Sequence, residues 1–176
     1  MKTNVALIGF MAAGKTAVAR VLAKKLGKQF VELDALIEHR AGKSIAEIFE
    51  HDGEIAFREL EIELAKEVSA KKNQVIACGG GLVLNKINID RLKEQAVMVY
   101  LEASPEVILK RASSDNTVRP LLKGDRKAQT IRELVRFRQP YYERAADITI
   151  DTSEMDINTI TQKIIRLLQK DEGFYQ

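Results

Sequence analysis

Several features typical of other protein classes are scarce or missing in this 176-residue chain. It has one cysteine, Cys78, so no internal disulfide can form, which fits a reducing compartment. Its two histidines, His39 and His51, have no carboxylate or cysteine partner at a metal-ligand spacing, so we interpret them as surface residues. No hydrophobic run reaches the length of a membrane span. We therefore expect a soluble, cytoplasmic protein without a membrane partner.

The surplus of basic residues is also small. Lys and Arg number 28 and Asp and Glu number 25, which gives a formal net charge of +3. A surplus of this size does not identify a nucleic-acid binder, and it also suits a small anionic substrate. Apolar residues make up 45% and charged residues 30%, with no repeat or linker, as in ordinary globular proteins. We expect residues 1–176 to form a single domain without a nucleic-acid partner.

Short apolar runs alternate with helical patterns along the chain. Asn4–Ile8 is a predicted strand, and Lys15–Leu26 carries apolar residues at helical spacing. This alternation indicates an α/β fold with a mostly parallel sheet. Ligands of such sheets bind at the carboxyl ends of the strands. Functional residues are therefore expected just after strands, at residues 9–16, at Asp34 and at residues 79–81.

Three further segments carry structural predictions. A second strand is predicted over residues 30–34, which places Asp34 at its end. Residues 113–127 are polar and rich in charge, and we interpret them as a mobile excursion. A helix is predicted over residues 130–138, and Pro140 is expected to disturb it.

The strongest motif is Gly9-Phe10-Met11-Ala12-Ala13-Gly14-Lys15-Thr16, which fits the phosphate-binding P-loop pattern G-x-x-x-x-G-K-[ST] at every fixed position. Its glycines let successive N–H groups point inward as an anion nest at a helix N-terminus. Lys15 is expected to reach the β- and γ-phosphates of ATP, and the Thr16 hydroxyl to ligate Mg²⁺. The expected nucleotide contacts here are Ala12, Ala13, Gly14, Lys15, Thr16 and Ala17.

Asp34 and Arg58 each have two interpretations from local sequence. Asp34 either caps a helix or faces an acceptor hydroxyl. Arg58 has Glu54 and Glu61 at helical neighbour spacing, so a solvated ion-pair face explains it equally well.

The remaining candidates are a glycine run and two arginines. Gly79, Gly80 and Gly81 follow a predicted buried strand, and three consecutive glycines are entropically costly. Their presence favours close approach of backbone to a ligand over a plain turn. Arg119 and Arg138 each have two interpretations from local sequence, as a surface arginine or as a site residue.

Together these motifs resemble the shikimate kinase family over nearly the whole chain. The resemblance is carried by the P-loop and by Val31-Glu32-Leu33-Asp34, Phe57-Arg58-Glu59-Leu60-Glu61, Cys78-Gly79-Gly80-Gly81, Val118-Arg119-Pro120-Leu121-Leu122 and Arg138-Gln139-Pro140-Tyr141-Tyr142. It implies a P-loop α/β/α sandwich akin to nucleoside monophosphate kinases, with a five-stranded parallel sheet in the order 2-3-1-4-5. Residues 113–127 would form a mobile lid, and residues 35–62 would form acceptor-binding helices.

The resemblance also implies a reaction and roles for the site residues. The γ-phosphoryl group of ATP would pass to the 3-hydroxyl of shikimate, a step toward chorismate and the aromatic amino acids. Asp34 would be the base, Arg119 would reach the transferring phosphate, and Arg111 is the nearest candidate to stack on the adenine. The implied substrate contacts are Asp34, Arg58, Gly79, Gly80, Gly81 and Arg138.

One residue departs from the family pattern, and two other functions stay open. Many members carry Asp where this chain has Glu32, which is expected to support Mg²⁺ alongside Thr16. One alternative is another small-molecule P-loop kinase that phosphorylates gluconate or a nucleoside monophosphate. The other is a non-catalytic nucleotide-binding module, against which intact Lys15, Thr16 and Asp34 argue. We expect a monomer.

Overall fold

The computed structural model describes residues 1–114, 127–171, 173 and 174. Five strands form one sheet in this part of the chain, and every neighbouring pair is parallel. Their bounds are β1 (Asn4–Ile8), β2 (Gln29–Glu32), β3 (Gln74–Ala77), β4 (Ala96–Glu102) and β5 (Ile148–Asp151). The strand order is β2-β3-β1-β4-β5. The predicted parallel sheet and its order are confirmed.

Helices connect the strands and cover both faces of the sheet. The described residues form α1 (Lys15–Leu26), α2 (Leu33–Ala41), α3 (Ile45–His51), α4 (Gly53–Ser69), α5 (Lys86–Gln95), α6 (Pro105–Ser114), α7 (Lys127–Ala145) and α8 (Ile157–Leu168). A short 3-10 helix, Leu82–Leu84, follows the glycine run. No helix among these residues is both long and apolar enough to cross a membrane.

Alternate residues of the central strand supply the two halves of the core. Val5 and Leu7 of β1 pack in the cluster that includes residues of α1 and α8. Ala6 and Ile8 belong to the opposite cluster, which includes residues of α4, α5 and α7. Because successive side chains of a strand point to opposite faces, a strand buried on both sides is apolar throughout. The molecule therefore has the three layers of an α/β/α sandwich.

Gly9 links β1 to the phosphate-binding loop and leaves no room for a side chain. Its φ is 149°, and a Cβ there would lie 2.5 Å from the carbonyl oxygen of Leu101 on neighbouring β4. Backbone at this distance cannot move aside without breaking the sheet. The glycine thus lets the chain turn sharply at the carboxyl edge, where α1 then begins.

The prediction for the second strand is wrong at its end. β2 stops at Glu32 and α2 begins at Leu33, so Asp34 lies in the first turn of a helix. Leu33 and Ile37 are both fully buried, and this spacing of four residues is helical rather than alternating. Asp34 is therefore positioned by the first turn of a helix rather than by the end of a strand.

The predicted disturbance at Pro140 is also wrong. α7 runs without interruption from Lys127 to Ala145, with Pro140 inside it. Buried Ile131 and Tyr142 anchor the helix on both sides of the proline. Tertiary packing therefore outweighs the loss of one backbone hydrogen bond. Most of the predicted lid, residues 115–126 with Arg119, lies outside the described residues.

Candidate active site

A cavity of about 650 Å³ opens at the carboxyl edge of the sheet. The P-loop, α2, α3, α4, the glycine run and α7 all contribute to its wall. Its chemically active lining residues are Lys15, Thr16, Glu32, Asp34, Glu38, Arg58, Glu61, Gly79, Gly80, Gly81 and Arg138. The fold thus gathers most of the predicted site residues, from five separate segments, around one space.

The P-loop is bent back on itself around the Lys15 ammonium. Gly14 has a φ of 93° at the start of α1, and Ala12 has a φ of 61°, which is uncommon for a residue with a side chain. Lys15 Nζ donates hydrogen bonds of 2.9 Å to the carbonyl oxygens of both Gly9 and Phe10. The cation is therefore held over the loop whose N–H groups form the expected anion nest.

Thr16 and Glu32 form a pair next to the P-loop. The Thr16 hydroxyl donates a hydrogen bond of 2.5 Å to Glu32 Oε1. With its hydrogen committed to the carboxylate, the hydroxyl keeps its lone pairs for a metal ion. The described residues hold no cluster of three or more His, Cys, Asp or Glu that could bind a metal. The pair nevertheless fits Mg²⁺, which is commonly held by one or two protein groups together with substrate phosphates.

Two of the three consecutive glycines make room for charged side chains. A Cβ at Gly79 would lie 2.7 Å from Asp34 Oδ1. A Cβ at Gly81 would lie 2.6 Å from Nη1 of Arg58. A side chain at either position would push a site residue out of place, so the glycines are explained by packing against the site rather than by a plain turn.

Gly80 packs against the P-loop and also bonds to α7. A Cβ on Gly80 would lie 3.2 Å from the backbone nitrogen of Met11. Its carbonyl oxygen accepts a hydrogen bond of 2.5 Å from the Tyr142 hydroxyl and a longer one of 3.4 Å from Arg138 Nη1. Gly80 thus contacts both the P-loop and α7, on two sides of the cavity.

Asp34 carries a carboxylate that the surrounding residues leave partly unsatisfied. Its Oδ1 is buried and accepts no hydrogen bond within the described part of the chain. Burial raises the pKa of Asp34 above its ordinary value, and the nearby Lys15 ammonium only partly opposes the rise. An oxygen in this state is available to a ligand hydroxyl in the cavity.

Arg58 is held between one buried and one exposed carboxylate. Its Nη1 lies 2.9 Å from Glu61 Oε2, and its Nη2 lies 3.1 Å from Glu54 Oε1. The Glu61 side chain is 1% exposed, so a purely solvated ion-pair face is excluded. Burial raises the pKa of Glu61, and the positive charge of Arg58 limits that rise. Sequence analysis missed Glu61 as a site residue, because its spacing from Arg58 indicates an ion pair but does not show which carboxylate is buried.

Arg138 is buried, which excludes the surface interpretation. Only 4% of the residue is exposed, and its Nε has no hydrogen-bond partner among the described residues. The guanidinium carbon lies 5.7 Å from the centre of the Phe10 ring, within range of a cation–π interaction. Buried guanidinium groups are normally paired with an anion. Arg138 and Arg58 therefore provide two cationic groups for an anionic ligand in the cavity.

Arg111 and Cys78 lie near the site but play different parts. Arg111 Nη2 donates to the carbonyl oxygen of Thr152 at 3.0 Å, and its Nη1 lies 3.4 Å from the carbonyl oxygen of Ala13. It therefore joins the P-loop to the segment after β5, and its contact with adenine stays a prediction.

Burial raises the pKa of the Cys78 thiol, so this cysteine is not an activated nucleophile.

Comparisons with known proteins agree with this geometry. The family model for shikimate kinase matches residues 11–169. A shikimate kinase from Thermodesulfovibrio yellowstonii is 45% identical over 163 residues, which cover 93% of each chain. Another from Caldanaerobacter subterraneus subsp. tengcongensis is 45% identical over 170 residues, covering 97% of this chain and 98% of the relative.

Solved structures give the same result. Shikimate kinase from Acinetobacter baumannii in complex with shikimate superposes with a TM-score of 0.93 at 36% identity, covering 98% of this chain and 96% of that one. Shikimate kinase from Aquifex aeolicus has a TM-score of 0.82 at 36% identity, covering 94% and 96%. A sugar kinase from Janibacter, at 19% identity and a TM-score of 0.65, shares the fold alone.

The buried charge of Asp34 predicts a stability cost. Because its folded pKa lies above the ordinary 3.8, the fold binds a proton more tightly than the unfolded chain does. The contribution of Asp34 to stability is therefore fully present below pH 3.8 and is lost as the pH rises through the folded pKa. We expect Asp34→Asn to raise the melting temperature by a few degrees at neutral pH, with a gain that shrinks on acidification.

The measurement is thermal unfolding across a pH series. Asp90→Asn is the matched control, because Asp90 is exposed and, among the residues that the structure describes, forms an ion pair only with Lys86 on the surface. A melting temperature of Asp34→Asn at or below that of the parent at neutral pH would show that the carboxylate carries no such cost.

Proposed function

The chain belongs to the shikimate kinase family, and from this we propose that it transfers the γ-phosphoryl group of ATP to the 3-hydroxyl of shikimate. The products are shikimate 3-phosphate and ADP, and the step lies in chorismate and aromatic amino acid biosynthesis. The observation that carries the proposal is the pairing of Arg58 and Arg138 in one cavity with Asp34 and the P-loop. These groups match an acceptor that has both a carboxylate and a hydroxyl.

The two arginines would bind the acceptor carboxylate. A guanidinium group recognises a carboxylate through two parallel hydrogen bonds, which fix orientation as well as position. Arg138 has a buried Nε without a partner in the described chain, and Glu61 holds one edge of Arg58 at 2.9 Å. Gly81 packs against the Arg58 guanidinium, and the Gly80 carbonyl oxygen lies 3.4 Å from Arg138 Nη1, so the glycine run lies beside both arginines.

Asp34 would act as the base for the acceptor hydroxyl. Its free Oδ1 can accept the hydroxyl hydrogen bond, and the proton passes to this carboxylate as the oxygen attacks phosphorus. A pKa raised by burial brings the carboxylate closer to the ideal for a base at neutral pH. The Lys15 ammonium lowers that pKa and so favours the ionised carboxylate that a base requires, although burial outweighs it.

The phosphate chain of ATP would lie over the P-loop. Phosphoryl transfer needs mainly positioning and charge neutralisation, which the N–H groups of residues 12–17 and Lys15 supply. Thr16 and Glu32 would hold Mg²⁺, which when bound neutralises charge on the β- and γ-phosphate oxygens. We assign the transferring phosphate to Arg119 and the adenine to Arg111. A lid over residues 113–127 would exclude water, whose attack would hydrolyse ATP.

The proposal also covers the domain organisation, oligomeric state and location of the enzyme. We infer one domain over residues 1–176, in which residues 35–62 supply the acceptor-binding helices. It would act as a cytoplasmic monomer on small molecules, without nucleic-acid or membrane partners.

Turnover with a panel of acceptors tests the proposed function. We expect ATP-dependent phosphorylation of shikimate and little or none of gluconate or nucleoside monophosphates, measured by coupled ADP release. Shikimate carboxamide is the matched control for the arginine pair, because it keeps the hydroxyls and removes only the negative charge. Faster turnover of gluconate or of a nucleotide than of shikimate would assign the enzyme to another kinase activity, and ATP binding without any turnover would indicate a non-catalytic module.

Replacement of either arginine should weaken acceptor binding selectively. Each charge-assisted interaction with a carboxylate contributes about 1.5–3 kcal/mol, so Arg58→Ala or Arg138→Ala should weaken shikimate binding at least tenfold. ATP affinity should change little. Separate titrations with the two ligands check this, and Arg136→Ala, an exposed neighbour on α7, is the control. Equal losses for both ligands would contradict the assignment.

Glu32 is expected to act on the metal rather than on the acceptor. Loss of a group that supports a metal site typically costs about 10–100-fold in metal affinity or activity. Glu32→Gln should therefore need more Mg²⁺ for half-maximal rate and recover most of its rate at saturating Mg²⁺. Asp34→Asn should stay slow at every Mg²⁺ concentration.

A Mg²⁺ titration of the two variants beside the parent distinguishes these effects. Glu63→Gln, at an exposed position of α4, controls for the loss of a surface carboxylate. A Glu32→Gln enzyme that titrates like the parent would show that Glu32 has no part in metal binding.

A further inference from the structure

We propose that Tyr142 is a positioning residue for the acceptor, because its hydroxyl holds the Gly80 carbonyl and thereby keeps the Arg138 guanidinium in place to bind the acceptor carboxylate. The inference rests on the proposed function in one respect, namely that Arg138 binds that carboxylate. It adds to the site a residue that touches no ligand and acts through two groups that do.

Tyr142 and Arg138 reach the same backbone atom from the same face of α7. They are four residues apart, about one helical turn, and both are buried, with 1% and 4% exposure. The Tyr142 hydroxyl donates to the Gly80 carbonyl oxygen at 2.5 Å, whereas Arg138 Nη1 is 3.4 Å from it. The tyrosine is thus the main donor and the arginine a weak one.

The hydrogen bond from Tyr142 to Gly80 affects where the Arg138 guanidinium lies. A buried carbonyl oxygen that accepts no hydrogen bond destabilises the fold, so a nearby donor is expected to move into hydrogen-bond distance of it. Without the Tyr142 hydroxyl, the only described donor left to the Gly80 oxygen would be Arg138. The guanidinium would then move toward the backbone and away from the acceptor. With the hydroxyl present, Arg138 lies close enough to the tyrosine oxygen to interact with it, and its Nε stays without a partner among the described residues.

The position of the Tyr142 hydroxyl is itself fixed by the sheet. The Tyr142 ring stacks on the Tyr100 ring of β4, with centroids 4.9 Å apart and planes 14° apart. Burial raises the pKa of the Tyr142 hydroxyl, and the Arg138 charge offsets the rise only in part, so the group stays a hydrogen donor. The sheet therefore determines, through Tyr142, where the Gly80 carbonyl lies.

Tyr142 also helps keep Gly80 against the P-loop. A Cβ on Gly80 would be 3.2 Å from the Met11 nitrogen, so the glycine has little space to move on that side. The hydroxyl fixes the opposite, carbonyl side of the same residue. An ordinary core tyrosine would need only its ring, and phenylalanine would replace it without functional effect. The hydroxyl is what a positioning role requires.

Tyr142→Phe separates these roles, because it keeps the stacked ring and removes one oxygen atom. We expect the KM for shikimate to rise about tenfold, while kcat and the KM for ATP change less than about twofold. The melting temperature should stay near that of the parent. Tyr141→Phe is the matched control, since Tyr141 is only half-buried and contacts the exposed Phe137 ring. It should behave like the parent.

A second comparison asks whether Tyr142 acts through Arg138. In an Arg138→Ala background, the further change Tyr142→Phe should alter the KM for shikimate less than about twofold, since the group being positioned is gone. Full additivity of the two changes would overturn the proposal. So would an unchanged KM for shikimate in Tyr142→Phe. Failure of that variant to fold, or equal losses for shikimate and ATP with a lower melting temperature, would assign Tyr142 a purely structural role.

Failure of the proposed function would look different. It would appear in the parent protein as an absence of shikimate phosphorylation, before any variant is compared. If the parent instead phosphorylates another acceptor that bears a carboxylate, the same Tyr142→Phe and Tyr141→Phe comparison with that acceptor still tests the positioning role.

Discussion

The site depends on the close approach of other groups to the backbone of three consecutive glycines. Asp34 packs against Gly79, the P-loop backbone against Gly80, and the Arg58 guanidinium against Gly81. A side chain at Gly79 or Gly81 would overlap Asp34 or Arg58, and one at Gly80 would crowd the P-loop backbone. The distance between the phosphate-binding loop and the acceptor groups is therefore set by packing on a strip of bare backbone.

Around the three glycines lie charged side chains whose buried polar atoms do not all have hydrogen-bond partners within the protein. Asp34 Oδ1, Glu61 Oε1 and Arg138 Nε are all buried and without a hydrogen-bond partner among the described residues. Buried polar atoms are normally paired, so three such atoms in one cavity point to a ligand that completes them. Burial raises the pKa values of both Asp34 and Glu61, so the folded chain holds these carboxylates in their ionised form at a cost in stability. Such a cost is common where a site is prepared for its substrate in advance.

Sequence reasoning failed where tertiary packing overrides a local pattern. Leu33 suited a strand by composition, but its burial together with Ile37 places both on one face of a helix that also carries Asp34. Pro140 should end a helix on local grounds, yet the buried residues on either side keep α7 continuous. Glu61 looked like a surface partner of Arg58, because no local pattern distinguishes the buried side of an ion pair from the exposed one.

The sequence by itself determined the phosphate-binding loop, the alternation of strands and helices, and the charged residue types of the acceptor site. These are local properties, since fixed spacings and periodicities decide where a loop can curl and which face of an element is apolar. Only the tertiary structure decided that Arg138 is buried and that Glu61 holds Arg58. It alone showed that the Tyr142 hydroxyl reaches Gly80, 62 residues earlier in the chain. Contacts between residues so far apart depend on how helices pack across the sheet, and no spacing within the chain specifies that packing.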